Sequence, residues 1–405
     1  MVHVQVGAPG ATRLAQIVNM TSDFAPFTEA HRHSTATSGD RPRAASAHGT
    51  VVRIDPLVDA RWDSFVRSHP SATVYHLAAW ARIFEKAYRY TPRYLALEDE
   101  AGQLVAAMPL MTRLGLRGRV LRSLPGYEIG GPIGLDREGQ AKLMTAARSI
   151  AEAEGARAHV DSFTPGLEQE APGWIAIERP PNWVLTLPSD EDGLERWSKV
   201  RSRVTLVQRI RQAARAGVRV REGDSAEDLR NFYHMLLANM RRKHSVTRTL
   251  RQLELTKQLL SPSGCFKLWI AEYRGRPIAG HVTLPFGDTV ESLHIAHEEG
   301  GLPFHPHHAL NRQAMSWAME HGFSKYSLGH AWPESSLGFF KARWGAEPQL
   351  LYGYAWRPGG IPESERTHTH GVVAGGHSRI LSWVWERTPL PLLGIATAFA
   401  RRALL

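Results

Sequence analysis

Two hydrophobic periodicities alternate along the chain, and their order constrains the fold more than any other feature of the sequence. Between residues 51 and 163, strand-like apolar runs follow two helix-like segments and surround a third helix at 140–154. The same order of helices followed by strands returns between residues 189 and 356. Helices interleaved with strands indicate an α/β (α+β) fold, and the repetition predicts two lobes of this kind.

The length of the chain, 405 residues, agrees with more than one hydrophobic core. Residues 1–49 mix Ser, Thr, Ala, His and Gly without a sustained period, and 358–378 are rich in Pro, Gly, Ser and Thr. We therefore expect a disordered leader at 1–49, an N-terminal lobe at 50–187, a C-terminal lobe at 188–357, and a linker with an apolar tail at 358–405.

Several features bear on the compartment. The lone Cys265 excludes an intramolecular disulfide framework and a four-cysteine zinc site. The first residues lack the charged start and apolar stretch of a secretory signal. The most apolar region, 388–400, has 13 residues and is too short to cross a bilayer. We expect a cytoplasmic protein whose apolar tail either docks on the body or lies at the inner face of the membrane.

The charge is unevenly distributed. Lys and Arg number 49 against 39 acidic residues, a net charge of +10, and nine of these cations lie between residues 196 and 221 without an acid. Mixed signs are usual on a protein surface, so the predicted helix at 196–215 is a candidate contact for a tRNA backbone or an anionic membrane. The alternative is an ordinary solvated face.

Several short motifs follow one another in a fixed order along the chain. The first half contains Val74-Tyr75-His76, Trp80, Ser123-Leu124-Pro125 and Gly130-Gly131-Pro132. The second contains Arg209-Ile210-Arg211-Gln212-Ala213, Phe232-Tyr233, Met240-Arg241-Arg242-Lys243-His244, and the segment from Gly338 through Phe339-Phe340-Lys341 to Trp344-Gly345-Ala346. Over residues 60–405 this order resembles the FemAB-like branch of the GNAT superfamily, including its exosortase- and exopolysaccharide-associated members with a BioF2-like acetyltransferase domain.

The resemblance implies two tandem GNAT-like lobes with mixed sheets flanked by helices. It also implies transfer of an acyl group from aminoacyl-tRNA or acyl-CoA to an amine or hydroxyl acceptor in cell-envelope or polysaccharide metabolism, without a tightly bound cofactor. Two departures stand out. The family pattern Phe-Asp-Phe-Gly-Arg is replaced by Tyr326-Ser327-Leu328-Gly329-His330, and no Gly-rich pyrophosphate loop is evident.

Two residues are candidates for the chemistry itself. Acyl transfer needs a base for the nucleophile and a donor that stabilises the tetrahedral oxyanion. By its place in the motif and its aromatic neighbours, Lys341 is a candidate for the second role. The alternative is a lysine whose stem packs on an aromatic helix. His330 is a candidate base.

Other residues are candidates for substrate binding. Arg241, Arg242 and His244 would clamp a phosphate, or would merely complement the end of their helix. Tyr127 and Gly131 would contact the acceptor, unless their loop is a simple turn, and Trp344 would line the substrate site. Five histidines between 294 and 308 have no spacing, cysteine or carboxylate that completes a zinc site, so we expect no metal.

These patterns favour an acyl- or aminoacyl-transferase that forms an amide or ester bond by direct attack. Two alternatives remain open at this point. One is a CoA-dependent N-acetyltransferase of a glycan or small metabolite. The other is a catalytically silent module that binds a membrane surface.

Overall fold

The computed structural model describes residues 49–115, 118–126, 129–189, 204–361 and 387–403, which belong to one compact unit. Several predictions concern residues outside these ranges. They are the disordered leader up to residue 48, the acceptor contact of Tyr127, the basic helix before residue 204, and most of the linker.

The first part of the described chain alternates strands and helices as predicted. Its elements are β1 Thr50–Arg53, α1 Arg61–Ser68, a 3-10 turn at Val74–His76, α2 Ala79–Tyr88, β2 Thr91–Pro92, β3 Leu95–Glu98, β4 Leu104–Met108, β5 Met111–Gly115, β6 Gly118–Arg122, β7 Ile133–Gly134, α3 Arg137–Ala153, β8 Arg157–Ser162, α4 Leu167–Glu170 and β9 Ile175–Glu178.

The second part follows the same logic. Its elements are β10 Asn182–Thr186, α5 Val204–Arg215, β11 Arg219–Glu222, α6 Ala226–Arg242, α7 Leu250–Leu260, β12 Lys267–Tyr273, β13 Arg276–Phe286, β14 Thr289–His297, α8 Pro306–Glu320, β15 Lys325–His330, α9 Ser336–Arg343, β16 Glu347–Gln349, β17 Tyr352–Trp356 and α10 Leu390–Ala403. Two more 3-10 turns lie at Ser261–Ser263 and Glu299–Phe304.

Local sequence explains where the main helices begin. The side chain of Asp136 accepts a hydrogen bond from the amide of Gly139, and this cap starts α3 three residues before the predicted position. Ser225 and Asp228 form a capping box at the start of α6. Along α6, Leu229, Phe232 and Leu236 recur at helical spacing and are buried, which confirms the predicted apolar face.

The strands form three mixed or antiparallel sheets, and two strands cross between the halves of the chain. The orders are β1-β3-β4-β7, β2-β5-β6-β8-β17-β9 and β11-β12-β13-β14-β15-β10-β16. Strand β10 pairs with β15 and β16 of the later half, whereas the last strand, β17, inserts between β8 and β9 of the earlier half. A cut at 187/188 would therefore separate both strands from their sheets.

The largest core joins the two halves. Buried residues of α1 and α2 share one cluster with those of α6, α7 and the middle strands of the seven-stranded sheet. At this junction the hydroxyl of Tyr88 donates to Oε1 of Gln252 over 2.5 Å, which satisfies a buried polar pair. Separate cores lie between α3 and the first-half sheets and beneath α5 and α8.

The predicted apolar tail contains helix α10, which docks on the body. Its Leu393, Thr397 and Ala400 are buried, and the helix packs against α6, α2 and β5. A second face stays outside: Leu392, Ile395 and Phe399 are each more than half exposed. Within the described residues, the helices are too short or too polar to cross a membrane.

Candidate active site

The two parallel strands of the seven-stranded sheet separate partway along their length. Strands β14 and β15 pair at Thr289–Lys325, Val290–Tyr326 and Glu291–Ser327, and there the pairing ends. Beyond this point β14 stays paired with β13 as far as His297, while β15 stays paired with β10. A gap therefore opens at the carboxyl ends of both strands, which is where ligands bind in parallel α/β sheets.

Backbone irregularities shape this gap. The register of β13 and β14 shifts between Val282–His294 and Thr283–Ser292, so Leu293 forms a bulge where the strands part. Across the gap, Gly329 adopts a φ of +76°. A Cβ atom there would lie 3.8 Å from the carbonyl oxygen of Ser292 and 3.9 Å from Nζ of Lys341. Glycine thus keeps open the space between β14 and Lys341.

A buried carboxyl group lies at the point of separation. The side chain of Glu291 is 6% exposed, and its burial raises its pKa to about 7, an effect that the neighbouring hydroxyl of Ser327 partly offsets. Ser327 in turn donates to Oδ1 of Asn182 (2.9 Å) and accepts from the amide of Gly329 (3.3 Å). A carboxyl with a pKa near 7 can take up and release a proton at neutral pH.

Two buried histidines lie on β13 and on β14, the strand that carries Glu291. Nε2 of His281 shares a hydrogen bond with Oγ of Ser292 at 2.8 Å, and full burial lowers the pKa of His281 to about 3. Burial also lowers the pKa of His294 well below its usual value, and the charges of Arg248 and Arg401 add to the shift. Both imidazoles are therefore neutral at pH 7.

The structure brings Lys341 and His330 together. Lys341 is 4% exposed, and its ammonium group donates to the backbone carbonyl oxygen of His330 over 2.9 Å. This contact places the Lys341 charge at the carboxyl end of β15, next to Gly329. Of the aromatic neighbours predicted for Lys341, Phe340 packs on the core, whereas Phe339 is 60% exposed.

The residues of the predicted phosphate clamp, Arg241, Arg242 and His244, do not all face the same part of the structure. Nη1 of Arg241 donates to the carbonyl oxygen of Thr388, ahead of α10. Arg242 is exposed; burial lowers the pKa of His297 at the end of β14, and the charge of Arg242 adds to this shift. His244 follows α6 with a φ of +49°. Arg242 thus acts on the separated end of β14, whereas Arg241 holds the segment ahead of α10.

The remaining predicted contacts lie in packed positions. The carbonyl oxygen of Gly131 accepts from Nε2 of His76 at 2.9 Å, and a Cβ on Gly131 would overlap the carbonyl oxygen of Asp161. Glycine is therefore required there for close packing on β8. Trp344 is fully buried and stacks on His308. Direct substrate contact by Gly131 or Trp344 stays a prediction.

The histidines around the start of α8 form pairs. Nδ1 of His297 and Nε2 of His307 lie 3.0 Å apart, and His305 packs edge-on against His308. Burial, followed by the neighbouring histidines and Lys243, lowers the pKa of His307 to about 3. Across the described ranges, no group of three or more His, Cys, Asp or Glu side chains has the geometry to hold a metal ion.

Comparisons with known proteins agree with this geometry. Residues 199–335 match the family of acetyltransferase (GNAT) domains. The chain superposes on FemX with a TM-score of 0.60 at 16% identity, covering 76% of this chain and 97% of FemX. Residues 199–335 therefore resemble GNAT acetyltransferase domains, and the chain shares its fold with FemX. The structure thereby confirms the predicted α/β fold of two GNAT-like lobes.

Two further solved structures share the fold of this chain. The C-terminal domain of a putative lysylphosphatidylglycerol synthetase from Agrobacterium fabrum superposes with a TM-score of 0.50 at 16% identity, covering 74% of this chain and 91% of the domain. L-PGS from Bacillus licheniformis gives 0.52 at 12% identity, covering 76% and 94%. Among curated proteins, none matches the chain in sequence.

The most informative residue of the site that the sequence did not reveal is Glu291. The family pattern implied an acid at position 327, where this chain has Ser327. Because Glu291 is directly opposite Ser327 in the parallel register, a carboxyl group is present at the same point of the sheet, on the neighbouring strand. A glutamate within an alternating strand looks like a solvent-facing residue, so the pairing of β14 with β15 was needed to find it.

Proposed function

We propose that the gap between β14 and β15 is the site of acyl or aminoacyl transfer, with Glu291 as the general base. The position and pKa of Glu291 carry this proposal. Its carboxyl lies where the strands separate, and a base is most effective when its pKa is near the working pH. His281 and His294 have pKa values too low to hold a proton at pH 7, which makes them weaker candidates.

Lys341 is suited to stabilise the charge that develops during attack. Its buried ammonium group borders the space beside Gly329, which the carbonyl oxygen of Ser292 also borders. An ammonium group in a site shielded from water interacts strongly with an oxyanion. In this role the side chain of His330 is not needed as a base, because Glu291 provides one.

The Glu291 carboxylate and the Lys341 ammonium group are sufficient for each proton transfer and charge in the proposed reaction. The Glu291 carboxylate takes a proton from the acceptor amine or hydroxyl, whose lone pair attacks the donor carbonyl carbon. The carbonyl π electrons move to oxygen, and Lys341 stabilises the resulting oxyanion. When the carbonyl re-forms, the bond to the tRNA 3′ oxygen or the CoA sulfur breaks, and that leaving group takes up a proton. An amide or ester of the acceptor results.

Two observations favour aminoacyl-tRNA as the donor over acyl-CoA. At the start of α8, Pro306 has no N–H, and the amides of His308 and Ala309 already donate to the carbonyl oxygen of His305, so few amides are left for a pyrophosphate. In addition, Arg209, Arg211 and Arg215 are exposed along α5, the described part of the predicted basic helix. Such a face suits the RNA backbone.

Donor binding tests this choice. We would measure the thermal midpoint of the protein with acetyl-CoA, with uncharged tRNA and with aminoacyl-tRNA, since a ligand of the folded state raises the midpoint. Transfer is then followed with labelled donor and an amine panel of glucosamine, lysine and ethanolamine. The proposal predicts transfer from aminoacyl-tRNA that is lost in Glu291→Gln. Transfer from acetyl-CoA alone would favour the N-acetyltransferase, and binding without transfer would favour the silent module.

The exposed face of α10 supports an acceptor at the cytoplasmic membrane surface. Leu392, Ile395 and Phe399 form an apolar stripe, and residues 387–403 include three arginines and no acid. An apolar stripe beside cations suits the surface of an anionic bilayer. A lysylphosphatidylglycerol synthetase, which shares the fold, is named for an aminoacylated phospholipid. Co-sedimentation with phosphatidylglycerol vesicles, compared with phosphatidylcholine vesicles and with Ile395→Ser, tests this contact.

A further inference from the structure

One face of the six-stranded sheet carries charged side chains that the proposed reaction does not use. In the antiparallel pair β5/β6, Met111 is opposite Arg122, so Arg113 lies on the same face as Arg122, diagonally across the two strands. In the parallel pair β6/β8, Arg122 is opposite His159, which puts Asp161 on this face as well. The opposite face of these strands packs against α3.

Arg113 is buried without a partner. It is 9% exposed, and within the described residues its guanidinium group makes no hydrogen bond or ion pair. Burial lowers the pKa of Arg113, the phenol of Tyr90 opposes this shift, and the charges of Arg122 and Arg157 add to it. A buried cation that faces other cations destabilises a fold unless an anion joins it.

The acid of this face is already paired. Asp161 is fully buried, and its carboxylate contacts Nε of Arg179 at 2.8 Å, Nη2 of Arg122 at 3.3 Å and Nε2 of His159 at 3.1 Å. Burial alone would raise the pKa of Asp161, but these neighbours lower it, so the carboxylate is ionised. Its negative charge is therefore shared by Arg179, Arg122 and His159, and Arg113 has no contact with it among the described ion pairs.

We propose that Arg113 and Arg122 bind a phosphoryl group of a ligand. Two guanidinium groups on adjacent strands can donate in pairs to the oxygens of a tetrahedral dianion, which matches phosphate better than a carboxylate. The side chain of Arg122 is 23% exposed, so solvent can reach the cluster at this arginine. Binding of the phosphoryl group does not depend on the proposed role of Glu291.

The cluster is connected to the separated strands through α10. Tyr90 donates to the carbonyl oxygen of Arg401 over 2.5 Å, and the charges of Arg113, Arg401 and Arg122 all act on its phenol. The charge of Arg401 also acts on His294 in β14. If the proposed function holds, the phosphate-bearing end of a substrate would be held by the first-half sheet while its reactive end enters the gap.

The experiment is a binding measurement on the full chain. Thermal midpoints and calorimetric affinities are compared at constant ionic strength in chloride, acetate, inorganic phosphate and pyrophosphate. The variants are Arg113→Met, Arg122→Gln and the control Arg119→Gln, an exposed arginine on β6. Uridine diphosphate, coenzyme A and phosphatidylglycerol vesicles then distinguish a nucleotide, a CoA-type and a lipid source of the phosphate.

We expect phosphate or pyrophosphate to raise the midpoint of the wild-type protein above its value in chloride and acetate. Arg113→Met should be more stable than wild type without phosphate, because it removes an unpaired buried charge, and should bind phosphate at least about tenfold more weakly. Arg122→Gln should also bind weakly, and Arg119→Gln should match wild type. Equal phosphate responses in all four proteins, or none in wild type, would overturn the proposal.

Discussion

The hydroxyl of Ser327 donates a hydrogen bond to Oδ1 of Asn182, which lies 145 residues earlier in the chain, over 2.9 Å. Strand β10, which carries Asn182, thus fixes the edge of β15 from the side opposite to β14. With Ser327 held in this way, Glu291 is left as the carboxyl at the strand separation.

Replacing Glu291 by glutamine should abolish the base while keeping the shape of the side chain. We expect the transfer rate to fall by about 100-fold or more, and the rise of activity with pH through about 7 to disappear. Initial rates between pH 5.5 and 8.5 measure both effects. Glu254→Gln, at an exposed position of α7, serves as the matched control. An unchanged pH profile in Glu291→Gln would exclude Glu291 as the base.

The same substitution should change stability in a direction set by the raised pKa. Because Glu291 holds its proton more tightly in the folded state, the wild type loses stability as pH rises from about 4.5 through about 7. Glu291→Gln lacks this loss and should be more stable at pH 8, by at most about 3 kcal/mol. Urea unfolding at pH 5 and pH 8 gives the difference. A variant that is less stable at pH 8 would contradict the raised pKa.

Moving the carboxyl from position 291 on β14 to the paired position 327 on β15 tests whether catalysis needs a carboxyl at this point of the sheet or needs Glu291 itself. Ser327→Asp alone places two carboxyls opposite each other and should cost about 1–3 kcal/mol at pH 8. Glu291→Ser alone should be inactive. The double variant has one carboxyl at the same point of the sheet, so it should regain stability and part of the activity. Urea unfolding and transfer assays on all four proteins form a double-mutant cycle. Strictly additive effects would show that the two positions are independent.

Gly329 should be needed for space as well as for backbone conformation. Both Gly329 (φ +76°) and Gly287 (φ +57°) have left-handed backbones, but only a Cβ at Gly329 would meet other atoms within 4 Å. Alanine at either position should cost about 1 kcal/mol of stability. Activity should fall in Gly329→Ala, and further in Gly329→Val, while Gly287→Ala keeps it. Equal activities of the two alanine variants would show that the gap does not need this space.

The sequence predicted the elements around the site but not the way in which they meet. The hairpin β12/β13, the strand at 290–296 and the helix of Lys341 all follow from periodicity and turn residues, and the structure confirms them. Strand β10 escaped prediction because Asn182–Thr186 is short and has prolines on both sides. The pairings of β10 with β15 and of β17 with β8 join residues that are far apart in the chain. Local sequence patterns cannot predict such pairings.

The same contrast between local pattern and long-range pairing applies to the candidate residues. Lys341 is a candidate from the sequence because an aromatic motif surrounds it, whereas Glu291 and Arg113 are single polar residues within strands. Their importance comes from burial and from their cross-strand neighbours. The motif also predicts that Trp344 lines the substrate site; the structure shows this side chain fully buried, and its substrate contact stays a prediction. Polar residues in strands thus have to be assessed after the register is known.

Buried histidines should make the protein sensitive to mild acid. Nε2 of His76 donates to Gly131 while its Nδ1 accepts from the amide of Thr73, an arrangement that requires the neutral ring. Burial lowers the pKa of His76 to about 4 and that of His281 to about 3. In the unfolded chain both titrate near 6.5, so their stabilising contribution is complete above that pH and is lost as pH falls from about 6.5 toward the folded-state values.

At pH 5 each of these two histidines should therefore cost up to about 2 kcal/mol of unfolding free energy relative to pH 7.5. Urea unfolding at pH 7.5, 6.5, 5.5 and 5.0 gives the slope. His281→Gln removes one titrating group, so its stability should fall less steeply with acid than that of wild type, even if it starts lower. His321→Gln, at an exposed position, should keep the wild-type slope. If wild type and His281→Gln lose stability in parallel, His281 is protonated as easily in the folded protein as in the unfolded chain, and its neutral bond to Ser292 cannot be part of the site.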